Sequence, residues 1–217
     1  MIMQINKKNM IESQLKPEGI SCQKTLNCIE QVNREDFVPL EFQKLSYAEY
    51  DIPLKNNFHM LRPLIVAKIL QSLELTSNDE ILEIGTGSGY LTCCLSIMGK
   101  TVDTIDIDSA MLEEAKISHD KYNLYNVNYL NKDIFSPWTP ERKYDAIVVT
   151  GAVEERIDKL EQALNKKGKM FIVIGNYPVM NVYIITKVSD SKLVCDQSFE
   201  TTIDHLTNNN KKNILNF

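Results

Sequence analysis

The densest group of residues able to do chemistry is Glu83-Ile84-Gly85-Thr86-Gly87-Ser88-Gly89, set between an apolar run ending at Ile84 and the helix-forming string LTCCLSIM at 91–98. Glycines there let the chain turn sharply from strand into helix and bring a ligand against free amides at a helix N-terminus. The spacing is GxGxG, and Tyr90 stands where a dinucleotide loop carries its third glycine, so a pyrophosphate-bridged cofactor fits poorly. Glu83, two residues before the first glycine, suits a cofactor bearing an ammonium group, as S-adenosyl-L-methionine does.

Two more carboxylates extend the pattern. Asp106 ends the next apolar run, 21 residues beyond Gly85, where a carboxylate accepts hydrogen bonds from both hydroxyls of a ribose. Asp133 follows a third run and is placed to meet an adenine amino group. The expected cofactor set is therefore Glu83, Gly85, Thr86, Gly87, Ser88, Gly89, Asp106, Ile107, Asp133 and Ile134. Ligands of such sheets gather beyond the carboxyl ends of the strands, so Glu83, Asp106, Asp133 and Thr150 should converge there. His59, Arg62 and Thr150 are the only candidates for contact with an acceptor, and no catalytic residue is assigned.

Other chemistries find no ligands. Histidines 59, 119 and 205 are far apart and form no HxxxH pattern, so no metal is expected. Cysteines 22, 28, 93, 94 and 195 are odd in number and lack CxxC spacing, so they read as reduced thiols, with Cys93 and Cys94 as small core residues.

Strands and helices must position these groups. Short β-branched runs at 80–84, 101–105, 127–130, 146–150 and 170–174 alternate with helical segments at 91–98, 110–118 and 154–164. Runs apolar on both faces belong to parallel strands covered by helices on both sides, so the fold class is α/β, a doubly wound Rossmann-like sheet. Residues 181–188 and 193–202 flank Ser189-Asp190-Ser191 as a terminal antiparallel hairpin. Before the sheet, residues 1–60 read as a helical cap, with one helix at 22–32, and Pro63 opens another. A single domain results: cap 1–60, cofactor core 79–175, and hairpin and tail 176–217, with an Asn-rich loop at 208–212. The cap and the hairpin should cover one edge of the site and choose the acceptor, with 51–62 as a lid.

A chain of 217 residues with 43% hydrophobic and 24% charged residues is ordinary for a globular protein. The net charge of −5 argues against a nucleic-acid or anionic-membrane partner. Neither a signal peptide nor a membrane-spanning run is visible, which makes a cytoplasmic location the expectation. Oligomeric state is not written in the sequence.

Six strings, MIESQLKPEGI (10–20), NREDFVP (33–39), AEYDIPL (48–54), LEIGTGSGYLT (82–92), YDAIVVTGAV (144–153) and LEQALNKKGKM (160–170), together resemble the protein-L-isoaspartate O-methyltransferase family in order and spacing. The tail NILNF is similar to a bacterial branch of that family. The resemblance implies an S-adenosylmethionine-dependent methyltransferase of protein repair, which methylates the free α-carboxyl of isoaspartyl residues in damaged proteins. In that family the ester then collapses to a succinimide, from which normal aspartyl linkages re-form.

One block departs from the pattern. The family's GQxxSxP reads NFHMLRP at 57–63, so Leu61 occupies the serine position and Phe58 that of the glutamine, with no hydroxyl residue between Asp51 and Gln71. The departure removes a hydrogen-bonding group worth on the order of 1 kcal/mol or more beside a carboxylate. Two other readings therefore stay open: a methyltransferase of another acceptor specificity, and a non-catalytic S-adenosylmethionine-binding protein.

Overall fold

The computed structural model describes residues 2–207, and the Asn-rich loop expected at 208–212 lies outside them. Nine strands and six α-helices are described. The helices are α1 (Ile2–Met10), α2 (Gln23–Gln31), α3 (Pro63–Leu73), α4 (Tyr90–Met98), α5 (Ser109–His119) and α6 (Asp158–Gln162). A two-stranded ribbon pairs β1 (Ile52–Pro53) with β2 (His59–Met60). The main sheet contains β3 (Glu80–Ile84), β4 (Thr101–Asp106), β5 (Val127–Asn131), β6 (Tyr144–Val149), β7 (Leu164–Asn176), β8 (Val179–Ser189) and β9 (Lys192–Glu200), in the order β5-β4-β3-β6-β7-β8-β9.

Pairing is parallel from β5 to β7 and antiparallel from β7 to β9, as a doubly wound sheet extended by a hairpin requires. The strand order reverses between β3 and β6, and an α/β sheet opens a crevice at such a switch point. Side chains alternate strictly. Ile81, Val102, Ala146, Val148 and Phe171 join one apolar cluster with the cap helices and α4, while Leu82, Ile84, Ile105, Ile147 and Met170 join another with Leu160 and Ile134. Cys93, Cys94 and Leu95 of α4 are fully buried and the cysteines are free thiols, so α4 is apolar all round because it lies between sheet and cap.

Two expectations need correction. The segment 154–164 is helical only in α6, because the chain after β6 is drawn into strand-like pairing: the Val153 amide donates to the Val173 carbonyl at 3.0 Å, and the Gly175 amide to that of Val153 at 2.9 Å. In turn β7 starts at Leu164, not at 170, pairing Leu164 with Tyr144 across an irregularity before Lys169. Among the described residues no helix is long and apolar enough to cross a membrane, and no group of His, Cys, Asp and Glu is arranged to hold a metal.

Candidate functional site

Register brings the site together. Ile84 lies level with Ile105, and the amides of Gly85 and Thr86 both donate to the Ile105 carbonyl, at 2.8 and 3.2 Å. The Thr150 amide donates to Ile84 at 3.0 Å, so β3, β4 and β6 end at one edge. Gly85 has a φ of +95°, and a Cβ there would stand 2.2 Å from Thr150 Oγ1, so both backbone conformation and space demand glycine. Gly87, at φ +52°, lies against Leu54 of the segment between β1 and β2, and a Cβ there would stand 3.9 Å from Leu54 Cδ1, an ordinary contact.

Beyond this edge lies a cavity of about 500 Å³, a volume in the range of small-molecule sites. Gly85, Gly87, Asp106, Ile107, Asp133, Ile134 and Thr150 line it. Asp106 is held rigidly: one carboxylate oxygen accepts from the Gly87 amide at 3.1 Å and the other from the Asp108 amide at 2.9 Å. Burial raises its pKa from the ordinary aspartate value, against those backbone hydrogen bonds. Each oxygen keeps a second lone pair for a ligand hydroxyl. Asn131 braces the same turn by donating to the carbonyls of Asp106 and Ile107, both at 3.0 Å. Asp133 caps its own turn through the Phe135 amide at 2.8 Å.

Glu83 takes a different place from the other carboxylates. It shares the strand face of Ile81, so it points toward α4 and borders a smaller adjoining cavity of about 60 Å³, together with Thr86 and Ser88. One of its oxygens accepts from both Thr92 and Thr104 hydroxyls, at 2.5 and 2.6 Å, and the other has no hydrogen-bond partner among the described residues. Full burial pushes its pKa up to about 8, against the two threonine hydrogen bonds. Gly89 borders neither cavity. Its role is packing, since a Cβ there would stand 2.8 Å from both Ala115 Cβ and His119 Nε2 of α5.

Two remote segments supply much of the remaining lining. Asp51, Leu54, Phe58, His59, Met60 and Leu61 line the cavity from the β1–β2 region, and 202–207 line it from beyond β9. The latter stretch is tied down by Ala152, whose amide donates to Asp204 at 2.8 Å and whose carbonyl accepts from Leu206 at 2.9 Å. His59 is at the cavity but engaged: its amide and its Nδ1 both contact the Asp204 carboxylate, at 2.6 and 3.1 Å. Arg62 turns away, to Asp51 at 3.3 Å and to Thr201 and Thr202. Thr150 Oγ1 is within 2.8 Å of the carbonyls of Ile84 and Gly85, so its proton serves the turn.

Sequence reasoning passed over Arg34 and Asp204. Arg34 is 0% exposed and donates from Nη2 to the Leu61 carbonyl at 2.7 Å. A lone arginine in a cap segment gives no local signal of burial. Asp204 follows no strand or glycine motif, and only the path of the chain back to Ala152 brings it to His59.

Comparison with known proteins places this architecture. The chain is 34% identical over 190 residues to the protein-L-isoaspartate O-methyltransferase of Petrotoga mobilis, covering 87% of this chain and 89% of that one. It is 36% identical over 186 residues to the Dictyoglomus thermophilum protein of the same name, covering 86% and 84%. In fold it is similar to a Plasmodium falciparum chain described as a protein-L-isoaspartate O-methyltransferase and crystallised with S-adenosyl-L-homocysteine, with a TM-score of 0.79, 20% identity and coverage of 94% and 98%. The family model of protein-L-isoaspartate(D-aspartate) O-methyltransferase matches residues 5–211, and this chain belongs to that family.

Proposed function

We propose that this chain is an S-adenosyl-L-methionine-dependent protein carboxyl methyltransferase that esterifies the free carboxylate of isoaspartyl residues. One observation carries the reading: the family match spans the chain, and the glycine turn and segment 51–61 line one and the same cavity.

The residues present fit the cofactor. Asp106 offers oxygens to a ribose, Ile107, Met111 and Ile134 supply apolar walls for a purine, and Asp133 stands at the same end. Glu83, with an oxygen lacking a partner among the described residues, suits the ammonium group. When bound, the cofactor supplies a methyl group on a sulfonium: the carboxylate O–C bond forms as the S–C bond breaks, leaving a neutral ester and thioether.

The acceptor carboxyl, with a pKa near 4, is already ionised at neutral pH, so this chain need not supply a general base. Its contribution is placement and exclusion of water, which together are able to contribute roughly 7–11 kcal/mol. Leu54, Phe58, Leu61, Ile203 and Leu206 form the apolar wall, and the His59–Asp204 contact pins one segment of that wall to the other. Protein substrates, a cytoplasmic location and one domain over residues 1–217 belong to the same reading; the last is supported by an apolar cluster running from Met10 and Ile29 to Ile81 and Val148.

A second reading rests on Leu61, which presents an apolar side chain at the cavity where the family has serine: the acceptor would then be apolar. Incubation with labelled cofactor and an isoaspartyl peptide, beside its aspartyl counterpart, decides between them. Label on the isoaspartyl peptide alone supports the first reading, and label on neither with cofactor still bound refutes it.

A further inference from the structure

The small cavity beside the glycine turn has two buried ionisable groups in its walls, each left incomplete. Arg34 opens the turn Arg34–Phe37 in the cap, and its guanidinium lies over the Tyr90 ring at 5.0 Å. Nη2 serves the Leu61 carbonyl, but Nε and Nη1 have no hydrogen-bond partner among the described residues. The neighbouring acids are committed elsewhere: Glu35 accepts from the Tyr47 hydroxyl, and Glu49 from the Leu64 amide at 3.1 Å. In the same cavity Glu83 keeps one oxygen without a hydrogen-bond partner among the described residues.

A guanidinium stays charged and cannot avoid burial by losing its proton. A buried cation with idle donors is unfavourable unless something completes it. The pair does not neutralise itself, since no ion pair joins Arg34 to Glu83 among the described residues. A cation and an acid on the walls of one cavity about 60 Å³ in volume, bordered by Gly85 and Gly87, match the two charges of an α-amino-acid head group.

We propose that Arg34 binds the α-carboxylate of the cofactor's amino-acid end, with Glu83 on the ammonium group beside it. The assignment rests on the cofactor reading above. It gives Arg34 two tasks, because the guanidinium that takes the carboxylate also holds Leu61, and so joins the cofactor to the acceptor wall.

Calorimetry with three ligands tests this. S-adenosylhomocysteine carries the whole head group, decarboxylated S-adenosylmethionine keeps only the ammonium, and 5′-methylthioadenosine has neither. Arg34→Met should weaken S-adenosylhomocysteine roughly tenfold or more, as loss of a charge-assisted hydrogen bond implies, and leave the other two within about twofold. Arg34→Gln, which keeps a donor for the Leu61 carbonyl but removes the charge, carries the same test should Arg34→Met not fold. Equal weakening of all three ligands would mean that the residue only supports the cap, and no weakening of any would remove it from the site; either overturns the assignment. Unchanged S-adenosylhomocysteine affinity with a raised KM for isoaspartyl peptide would give the carboxylate to the acceptor, and overturns it too. If the parent protein binds none of the three, the cofactor reading itself fails.

Discussion

The two walls of the large cavity are built on different principles. The cofactor wall is a product of strand register: Gly85, Asp106 and Thr150 follow three parallel strands that end level, and each is fixed by backbone hydrogen bonds of 2.7–3.1 Å. The acceptor wall is assembled from segments 51–61 and 202–207, more than a hundred residues apart: backbone pairing with Ala152 anchors the second, and side-chain contacts such as His59 to Asp204 and Arg34 to Leu61 join the segments to each other and to the cap. A wall made by a sheet tolerates few changes because moving one residue moves the register. A wall made by loops accepts substitution, and here the family's serine has become leucine.

The largest effect should come from breaking the cofactor wall at Gly85. Alanine there brings a Cβ to 2.2 Å from Thr150 Oγ1 and forces a left-handed φ on a residue with a side chain. The steric and conformational costs sum to about 2–5 kcal/mol. Gly85→Ala should lower the melting temperature and abolish measurable S-adenosylhomocysteine binding; Gly87→Ala, with only Leu54 at 3.9 Å, should be distinctly milder in the same melt. Next in size is Asp106→Ala. Loss of a buried carboxylate that accepts ligand hydroxyls should weaken S-adenosylhomocysteine by about 1.5–3 kcal/mol in calorimetry, and unchanged affinity would dismiss the ribose assignment.

The third test sharpens the contrast between Glu83 and the other site carboxylates through pH. Its pKa, raised from the ordinary 4.5 to about 8 by burial, means that the folded state binds a proton the unfolded state has released. Stability from this group is fully present below pH 4.5 and is lost as pH rises through 8. The window is best read above pH 6.5. Below it His119, whose pKa burial lowers against its hydrogen bond to Gly89, acts in the opposite sense and loses stability as pH falls. The ligand-free parent should therefore melt lower at pH 8.5 than at pH 6.8, and Glu83→Gln should flatten that decline. An ammonium group placed beside Glu83 favours its ionised form, so S-adenosylhomocysteine binding near pH 7 should release up to one proton. Calorimetry in buffers of different ionisation enthalpy measures that release, which should vanish in Glu83→Gln.

How much of this was legible follows from where the information resides. Parallel strands declare themselves as runs apolar on both faces, so β3, β4 and β6 and the turn between β3 and α4 were readable. The start of the helix expected at 154–164 was not, because Val153 just before it pairs with β7 and the helix is confined to α6, where Leu160 packs under the sheet. The direction of Glu83 was available in principle. In a strand of period two it must lie on the face of Ile81, toward α4 and the cap, and away from the face of Leu82 and Ile84. Arg34 and Asp204 were beyond reach, since the first is defined by what the cap leaves unpaired and the second by a return of the chain after β9.

The smallest effect, and the one that addresses the acceptor wall directly, is expected of Leu61→Ser. Leu61 lines the cavity with its side chain while its carbonyl is fixed by Arg34 at 2.7 Å, so the backbone that would present a hydroxyl is already held. A serine there adds a donor beside an ionised acceptor in a site that otherwise offers it little. One hydrogen bond worth roughly 1.4 kcal/mol in the transition state is tenfold in rate, so methylation of an isoaspartyl peptide should rise by up to about that factor. The gain should appear in kcat/KM for the peptide while S-adenosylhomocysteine affinity stays put, because the substitution leaves Asp106 and the glycine turn untouched. If leucine instead packs against an apolar acceptor, parent and variant will both bind S-adenosylhomocysteine and neither will label the isoaspartyl peptide. That outcome would leave the cofactor wall as described and assign the acceptor wall to a different substrate.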